Sequence, residues 1–328
     1  MRRTIKTVKG GVASPTPPDL EAVISANPFE PPPVDERPLF AMMLRLVAMA
    51  SMAISFATVK YVSAHGVSLV ESVFFRQLIT LPIAFAWVVW LQGLPALRTN
   101  RIGAHASRTV MGLSGMMLNF AGYTMLPLAE ATTIGFTVPI IGTILGAIIL
   151  REPTGLHRWG AVIIGFLGVL VMLRPTSGHL PAWGLTAAFA GALVTACVSI
   201  LLRQLGRTEG ATVTVFWFTL LSLPPFAVLM PFFIRTHPPE IWALIALIGV
   251  TGGIAQLGIT GALRWAPVAV VLPMDYSGIL WATALGWLVW GDWPIATTWA
   301  GAILIAGSGL YIAWREHARA RQLKPLPT

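Results

Sequence analysis

Two ionisable side chains, Asp275 and Arg76, are expected within membrane spans, where charges are rare. Asp275 lies eight residues beyond Pro267, which places it about 12 Å along a helix and close to the middle of a hydrocarbon layer about 30 Å thick. An isolated carboxylate at that depth binds a proton readily. We expect Asp275 either to take part in a proton-coupled step or to capture an ammonium group, with a structural hydrogen bond as the alternative.

Arg76 is the second such residue, less deep, near the outer third of the second predicted span. We expect it to pair with Glu71 or Glu130, which fall near the same boundary, and an ion pair of this kind can hold a gate closed. Arg76 is also a candidate partner for a carboxylate ligand. The sequence leaves the ion pair and the ligand contact open as alternatives.

Hydrogen-bonding side chains recur at helical spacing in neighbouring runs. Asn119 and Tyr123 are four residues apart, as are Gln256 and Thr260, so each pair shares one helix face. An isolated Ser or Thr more often bonds its own helix backbone. Polar stripes on several helices favour a lined cavity, because such faces are costly towards lipid.

Aromatic residues near Asp275 are candidates for the walls of that cavity. Tyr276 follows Asp275 directly, so it points to a different helix face and we expect it to contact a neighbouring helix. Phe136 and Trp281 are further candidates for apolar walls. The candidate ligand contacts are therefore Asn119, Tyr123, Gln256, Thr260, Asp275, Tyr276 and Arg76.

The composition indicates which kind of protein must position these residues. Of 328 residues, 55% are hydrophobic and 11% are charged, with a mean hydropathy of +0.74. Soluble proteins carry roughly 25% charged residues, so lipid is the expected surroundings. The sequence contains no metal-ligand spacing, no phosphate-binding loop and no basic groove interleaved with aromatics, which disfavours an enzyme, a cofactor, a metal or a nucleic-acid partner.

Charged residues divide the chain into ten apolar runs, of which nine have membrane-spanning length and one, 159–173, is short but acceptable if its ends snorkel. Two runs are themselves interrupted by a charge, the first near Leu39–Val59 by Arg45 close to one end, and 265–291 by Asp275. The others are 77–97, 109–129, 131–150, 159–173, 175–202, 210–234, 241–263 and 293–314. The sequence predicts an all-α integral membrane protein with ten transmembrane helices.

The distribution of basic residues predicts the orientation. Most Lys and Arg residues fall on the side that carries the amino-terminal segment, so both termini are expected in the cytoplasm. Residues 1–37 are rich in proline and lack an apolar core, which predicts a disordered cytoplasmic tail rather than a targeting signal. Residues 316–328 form a basic cytoplasmic tail.

Three pairs of features are separated by one and the same interval in the sequence. These are Pro127 and Pro267, Glu152 and Asp292, and Trp159 and Trp299. We call this shared interval the repeat offset, and its recurrence between unlike features indicates a duplicated unit. With five spans each, units 38–174 and 175–315 must enter the membrane in opposite orientations, as inverted repeats of transporters do.

Prolines inside the runs are candidate hinges. Pro139 and Pro273 lie in the predicted fourth and ninth spans, where the missing backbone donor kinks a helix or frees a carbonyl group. A hinge for gating and a static bend are equally compatible with the sequence. Glu130, Glu152 and Asp292 lie at span ends and are candidate gating or structural residues.

Several motifs in this order resemble the drug/metabolite transporter superfamily. They are Leu113–Tyr123, the Leu-Pro-Leu-Ala-Glu-Ala segment at 126–131, Pro139, and Leu-Arg-Glu-Pro at 150–153. Over about residues 40–315 the chain resembles EamA-type transporters of ten helices. Glu152 matches an acidic residue at the end of the family's fourth helix, and Asp292 is a conservative departure at the second-copy position.

The resemblance implies a secondary transporter of the bacterial inner membrane that works by alternating access. It suggests export of aromatic and other neutral amino acids, with proton coupling left open. The alternative is transport, in either direction, of a nucleoside-like, S-adenosylmethionine-like or flavin-like metabolite. A membrane enzyme or scaffold that does not transport is the alternative of another class.

Overall fold

The computed structural model describes residues 37–149, 156–173, 180–205, 209–265 and 272–322. Four predicted features fall outside these residues: the tail 1–37 apart from Arg37, the motif at 150–153 with Glu152, Pro267 of the first repeat pair, and the end of the basic tail at 323–328. The described residues are all-helical, as predicted. The α-helices are α1 (Pro38–Ala64), α2 (Leu69–Gln92), α3 (Ile102–Met125), α4 (Leu128–Gly135), α5 (Val138–Ile149), α6 (Leu156–Leu173), α7 (Ala182–Leu205), α8 (Ala211–Phe233), α9 (Pro239–Trp265), α10 (Gly278–Trp290) and α11 (Ala296–Gln322), with 3₁₀ segments at Leu94–Leu97 and Leu272–Ser277.

Several of these helices are suited to a membrane. Five described segments are both long and apolar enough to cross it: Leu39–Ala64, Leu69–Gln92, Ala182–Leu202, Thr212–Phe233 and Pro239–Ala262. Two shorter apolar stretches, Leu128–Gly142 and Trp159–Met172, accompany them. The chain is therefore a multi-pass candidate, and the full number of ten spans stays a prediction.

The predicted fourth span is interrupted between α4 and α5. Thr137 lies in the break, and its hydroxyl donates to the carbonyl oxygen of Ile134 at 2.6 Å. Pro139 occupies the second position of α5, where the first helical turn tolerates a missing N–H donor. Irregular backbone at membrane depth needs such internal hydrogen bonds because lipid supplies none.

A matching interruption occurs before α10. Pro273 lies in the 3₁₀ segment Leu272–Ser277, and the Ser277 hydroxyl donates to the carbonyl oxygen of Met274 at 2.6 Å. Ser277 and Met274 are related to Thr137 and Ile134 by the repeat offset. Both interruptions therefore carry the same local hydrogen bond at the spacing of the sequence motifs.

Helix bounds and helix packing follow the same spacing. The ends of α3 and α9 (Met125 and Trp265) are separated by the repeat offset, and so are the starts of α5 and α10 (Val138 and Gly278). The helix contacts are duplicated as well, because α1 packs chiefly on α9 and α7 packs chiefly on α3. Likewise α10 contacts α1 and α5 contacts α7.

Close helix contacts depend on glycine at two crossings. A Cβ atom on Gly301 of α11 would lie 2.6 Å from the Gly168 carbonyl oxygen of α6. A Cβ atom on Gly249 of α9 would lie 2.5 Å from the Cβ of Ile79 in α2. Only hydrogen fits at these positions, so the helix axes approach closely.

Candidate functional site

The two helix interruptions meet each other inside the protein. Phe136, at the end of α4, packs edge-to-face against Tyr276 of the 3₁₀ segment, with ring centroids 4.9 Å apart and an interplanar angle of 67°. The Tyr276 hydroxyl lies against Gly309 of α11, where no larger residue would fit. Since the repeat offset also relates Phe136 to Tyr276, equivalent positions of the two halves of the chain contact each other here.

Aromatic contacts continue from this point along α1 and α3. The hydroxyl group of Tyr123 lies 3.3 Å from the Thr132 hydroxyl of α4. The Tyr123 ring stacks on Phe56 of α1, with centroids 3.9 Å apart and planes within 14°. The Phe120 ring packs edge-to-face with Phe56, with ring centroids 5.9 Å apart. We call Phe56, Phe120, Tyr123, Phe136 and Tyr276 the aromatic series.

Asp275 is paired, so the prediction of an isolated carboxylate is wrong. Its two oxygens accept hydrogen bonds from Nε and Nη2 of Arg45 at 2.5 and 2.6 Å. Arg45 also donates through Nη1 to the carbonyl oxygen of Ile259 at 2.8 Å. The pairing arises because α1 packs against the 3₁₀ segment, which places the only charge inside the first apolar run beside the charge of the ninth.

Arg76 does not pair with Glu71 or Glu130, so that prediction is wrong as well. Glu71 accepts hydrogen bonds from the backbone N–H groups of Ser68 at 2.8 Å and Arg235 at 3.0 Å, and lies 3.0 Å from Nε2 of His237. Glu130 instead accepts from the Thr298 hydroxyl of α11 at 3.0 Å. Helix spacing predicts the depth of a side chain but not the direction in which its neighbours lie.

The predicted polar pairs on α3 and α9 behave differently from each other. The Asn119 amide donates to the Thr195 hydroxyl of α7 at 3.2 Å, so it holds two helices together. The Thr260 hydroxyl bonds the backbone oxygen of Gln256 at 2.9 Å. Within the described part of the chain the Gln256 amide has no side-chain hydrogen bond, and it is only half-buried.

Lys60 and Asp292 form a second contact between α1 and the chain around α10. The Lys60 ammonium lies 3.7 Å from Asp292 Oδ2, donates to the Leu126 carbonyl oxygen at 3.0 Å, and faces the Trp290 ring at 4.8 Å. A cavity of about 460 Å³ opens beside it, lined in part by Glu130 and Asp292. Two of the predicted gating residues therefore border one cavity.

Sequence reasoning missed Arg45 and Lys60 as site residues. For Arg45 a signal was available, since only two apolar runs contained a charge and the charges were opposite. For Lys60, at the predicted boundary of the first run, no comparable signal exists. Trp281 is exposed at the surface of α10 rather than in the aromatic series. Among the residues that the structure describes, no group of His, Cys, Asp and Glu side chains could hold a metal ion.

Comparisons with known proteins agree with this architecture. Residues 39–174 match the EamA-like transporter family. A riboflavin transporter of Rhizobium johnstonii is 30% identical over 234 residues, covering 70% of this chain and 76% of the relative. A riboflavin transporter of Vibrio cholerae is 26% identical, covering 88% and 98%.

Two further comparisons extend the range. An S-adenosylmethionine uptake transporter of Rickettsia prowazekii is 25% identical, covering 83% of this chain and 91% of the relative. A solved crystal structure shares the fold with a TM-score of 0.60 at 18% identity, covering 88% of this chain and 99% of that one. The chain therefore belongs to the EamA-like transporter family of the drug/metabolite transporter superfamily.

Proposed function

We propose that this protein is a secondary transporter for a planar aromatic heterocycle of the flavin type. The observation that carries the proposal is the contact between Phe136 and Tyr276 at the meeting point of two interrupted helices. Transporters place their substrates where discontinuous helices meet, and aromatic faces bind a planar ring by stacking. The names of the riboflavin transporters point in the same direction.

The topology that we propose is ten spans in two inverted units of five, 38–174 and 175–315. The ends of α3 and α9, the starts of α5 and α10, and the starts of α6 and α11 are each separated by the repeat offset, which supports the duplication. An odd number of spans per unit gives the two copies opposite orientations. The basic residues favour cytoplasmic termini in a bacterial inner membrane.

The charge distribution favours a neutral heterocycle over an amino acid. An amino-acid ammonium group needs an available carboxylate near the substrate, and Asp275 is already engaged by both arms of the Arg45 guanidinium. The aromatic series needs no charge to bind a flavin-like ring. This argument supports the alternative of another small metabolite, which the sequence had left open.

Export of aromatic amino acids is the second candidate. The buried Arg76 has no carboxylate partner among the described residues, and a guanidinium suits a substrate carboxylate. A substrate of this kind would place its own ring against the aromatic series. Its ammonium group would then have to compete with Arg45 for Asp275.

Alternating access gives a role to the two contacts of α1. Arg45 with Asp275 and Lys60 with Asp292 join α1 to the ninth span about 22 Å apart along the helix axis. In the proposed orientation the first pair lies towards the cytoplasm and the second towards the outside. We propose that the pairs open in alternation as the substrate passes, with the two helix interruptions at Thr137 and Ser277 as hinges.

Transport by purified full-length protein in liposomes tests the substrate. We expect saturable uptake of radiolabelled riboflavin that is competed by lumiflavin, which keeps the ring without the ribityl chain. Phenylalanine and S-adenosylmethionine should compete at least tenfold more weakly. Exchange of labelled phenylalanine without any movement of riboflavin would overturn the proposal and favour the second candidate.

A matched pair of variants tests the aromatic series. Phe136→Ala removes a ring from the proposed site, whereas Phe232→Ala removes one from α8 that is 83% exposed. We expect riboflavin KM to rise about tenfold or more in the first variant, since a lost stacking contact of about 1 kcal/mol adds to lost burial. Equal effects of the two variants would contradict the assignment.

A further inference from the structure

Two buried arginines, one on α2 and one on α3, have no carboxylate partner among the described residues. Arg76 of α2 and Arg108 of α3 are each only 5% exposed. No described residue forms a salt bridge with either of them. A buried cation without an anion is strongly unfavourable, more so at membrane depth, so the source of compensation has to be found.

Arg76 makes only weak contacts with the protein. Its Nη1 lies 3.4 Å from Oε1 of Gln77 and 3.4 Å from the Met116 sulfur. Its Nε has no hydrogen-bond partner among the residues that the structure describes, and it lies against Gly252 of α9, where a side chain would collide with it. The guanidinium therefore lies between α3 and α9, and its Nε is not engaged by any described residue.

Among the described residues, Arg108 is compensated by an aromatic ring alone. Its guanidinium carbon lies 3.6 Å from the centre of the Phe218 ring of α8, a cation–π contact. Its Nε and Nη1 have no hydrogen-bond partner in the described part of the chain. Nη1 lies 3.0 Å from the position that a Cβ atom on Gly112 would occupy.

These contacts place the two guanidinium groups on adjacent turns of α3. Arg108 reaches Gly112 and Arg76 reaches Met116, and these two α3 positions are about 6 Å apart along one helix face. Gln77 joins the groups on the other side, because its Nε2 donates to the Ser222 hydroxyl at 3.0 Å, one turn of α8 beyond Phe218. Both guanidinium groups thus lie against one face of α3.

The nearby carboxylates of the described chain are occupied elsewhere. Glu71 is held by Ser68, Arg235 and His237. Glu209 accepts a hydrogen bond from Thr99 at 2.6 Å and lies 4.0 Å from Nε2 of His105. The compensating charge at Arg76 and Arg108 must therefore come from outside these residues.

We propose that Arg76 and Arg108 form a binding site for an oxyanion, a phosphate or carboxylate group with several acceptor atoms. Three unpartnered N–H nitrogens, on Arg76 Nε, Arg108 Nε and Arg108 Nη1, match the donor pattern that guanidinium groups offer to such groups. The anion is either an acidic group of a transported molecule or a separate ion. The site stands on its own contacts and does not depend on the flavin-type substrate.

Thermal unfolding of full-length protein in phosphatidylcholine nanodiscs tests the site. Inorganic phosphate replaces chloride at constant ionic strength, and Tm is followed by tryptophan fluorescence. We expect Tm to rise by about 5 °C or more once phosphate exceeds its Kd about a hundredfold. The absence of any rise with phosphate and with malonate would overturn the proposal.

Variants locate the effect. Arg76→Gln and Arg108→Gln should each abolish the phosphate response, while Arg98→Gln, an exposed control at the end of the Leu94–Leu97 segment, should keep it. If the Gln variants fail to fold, Arg76→Lys and Arg108→Lys retain charge but lose the planar fork. We then expect at least tenfold weaker phosphate binding, and unchanged binding in both Lys variants would contradict the site.

Three further arms separate the sources of the anion. Competition by riboflavin 5′-phosphate but not by riboflavin assigns the site to an acidic group of a transported molecule. Loss of the response in phosphatidylglycerol nanodiscs assigns it to a lipid headgroup. A phosphate response that persists both in the presence of riboflavin 5′-phosphate and in phosphatidylglycerol nanodiscs assigns the site to a free ion. Riboflavin uptake is measured separately, so a failure of the flavin proposal leaves the phosphate result interpretable.

Discussion

Two ion pairs, Arg45 with Asp275 and Lys60 with Asp292, join α1 to the chain around α10, and they differ in strength. Arg45 and Asp275 make two hydrogen bonds of 2.5 and 2.6 Å, with side chains 8% and 28% exposed. Lys60 and Asp292 approach to 3.7 Å at one atom pair, with side chains 14% and 43% exposed. A bidentate guanidinium–carboxylate contact is stronger and more directional than a single, longer ammonium contact.

This difference indicates which end of the proposed transport path is closed by the stronger ion pair. Alternating access requires that neither closure is too strong to open, so an unequal pair biases the protein towards one conformation. In the proposed orientation the Arg45 pair closes the cytoplasmic end, while the Lys60 pair, beside a cavity of about 460 Å³, closes the outer end weakly. This conformation should open outwards more easily than inwards.

The largest effect is expected from Arg45→Gln. The substitution leaves Asp275 as a buried carboxylate without its cation, and breaking such a pair costs about 3–5 kcal/mol. Tm in detergent should fall by roughly 6 °C or more, and riboflavin transport should be lost. Arg98→Gln, at an exposed site, serves as the control. A fall no larger than in the control would contradict the strong contact.

The next largest effect is a recovery of stability in the double variant Arg45→Gln/Asp275→Asn, relative to Arg45→Gln alone. Removing the second charge removes the uncompensated carboxylate, so about half or more of the lost stability should return. A double-mutant cycle on Tm measures this coupling. If the double variant were less stable than Arg45→Gln alone, Asp275 would have a second favourable partner and the comparison of the two pairs would need revision.

Helix bounds were largely predictable because hydrophobic runs and charges act locally. Residues 109–125 of the apolar run 109–129 lie on α3, and the repeat offset found in the motifs recurs in the starts of α5 and α10. The position of Pro139 predicted an interruption near α5, and the break lies just before it. The proline does not itself mark the end of α4, because helices accept proline in their first turn.

Side-chain partners were less predictable because they depend on rotation about helix axes. Glu71 was predicted as a partner of Arg76, yet it is engaged by the backbone N–H of Arg235 and by His237. Asn119 and Tyr123 share a face, yet one bonds α7 and the other α4. Arg45 could have been matched to Asp275 by charge alone, since an unpaired charge in either run would have been costly.

A smaller effect is expected from Lys60→Gln. The Lys60 pair is partly exposed, and pairs of this type contribute about 0–1 kcal/mol. The free energy of unfolding should therefore change little. The outer closure loses one of its contacts, so the transport rate should change, in either direction, by less than about threefold. Asp292→Asn should reproduce this result. A loss of stability equal to that of Arg45→Gln would show that the two pairs are equivalent.

The smallest effect is the response of the two pairs to ionic strength. Raising the salt concentration from about 0.1 to 1 M shortens the Debye length from about 10 to 3 Å, and this screening acts mainly on solvent-exposed charges. The difference in Tm between the wild-type protein and Lys60→Gln should shrink towards zero, because Asp292 is 43% exposed. The difference between the wild-type protein and Arg45→Gln should persist, since water and salt reach Arg45 poorly at 8% exposure. Equal screening of both differences would mean that the cytoplasmic end is also open to solvent, and the firmer closure would then have to be assigned to the helix packing rather than to the Arg45 pair.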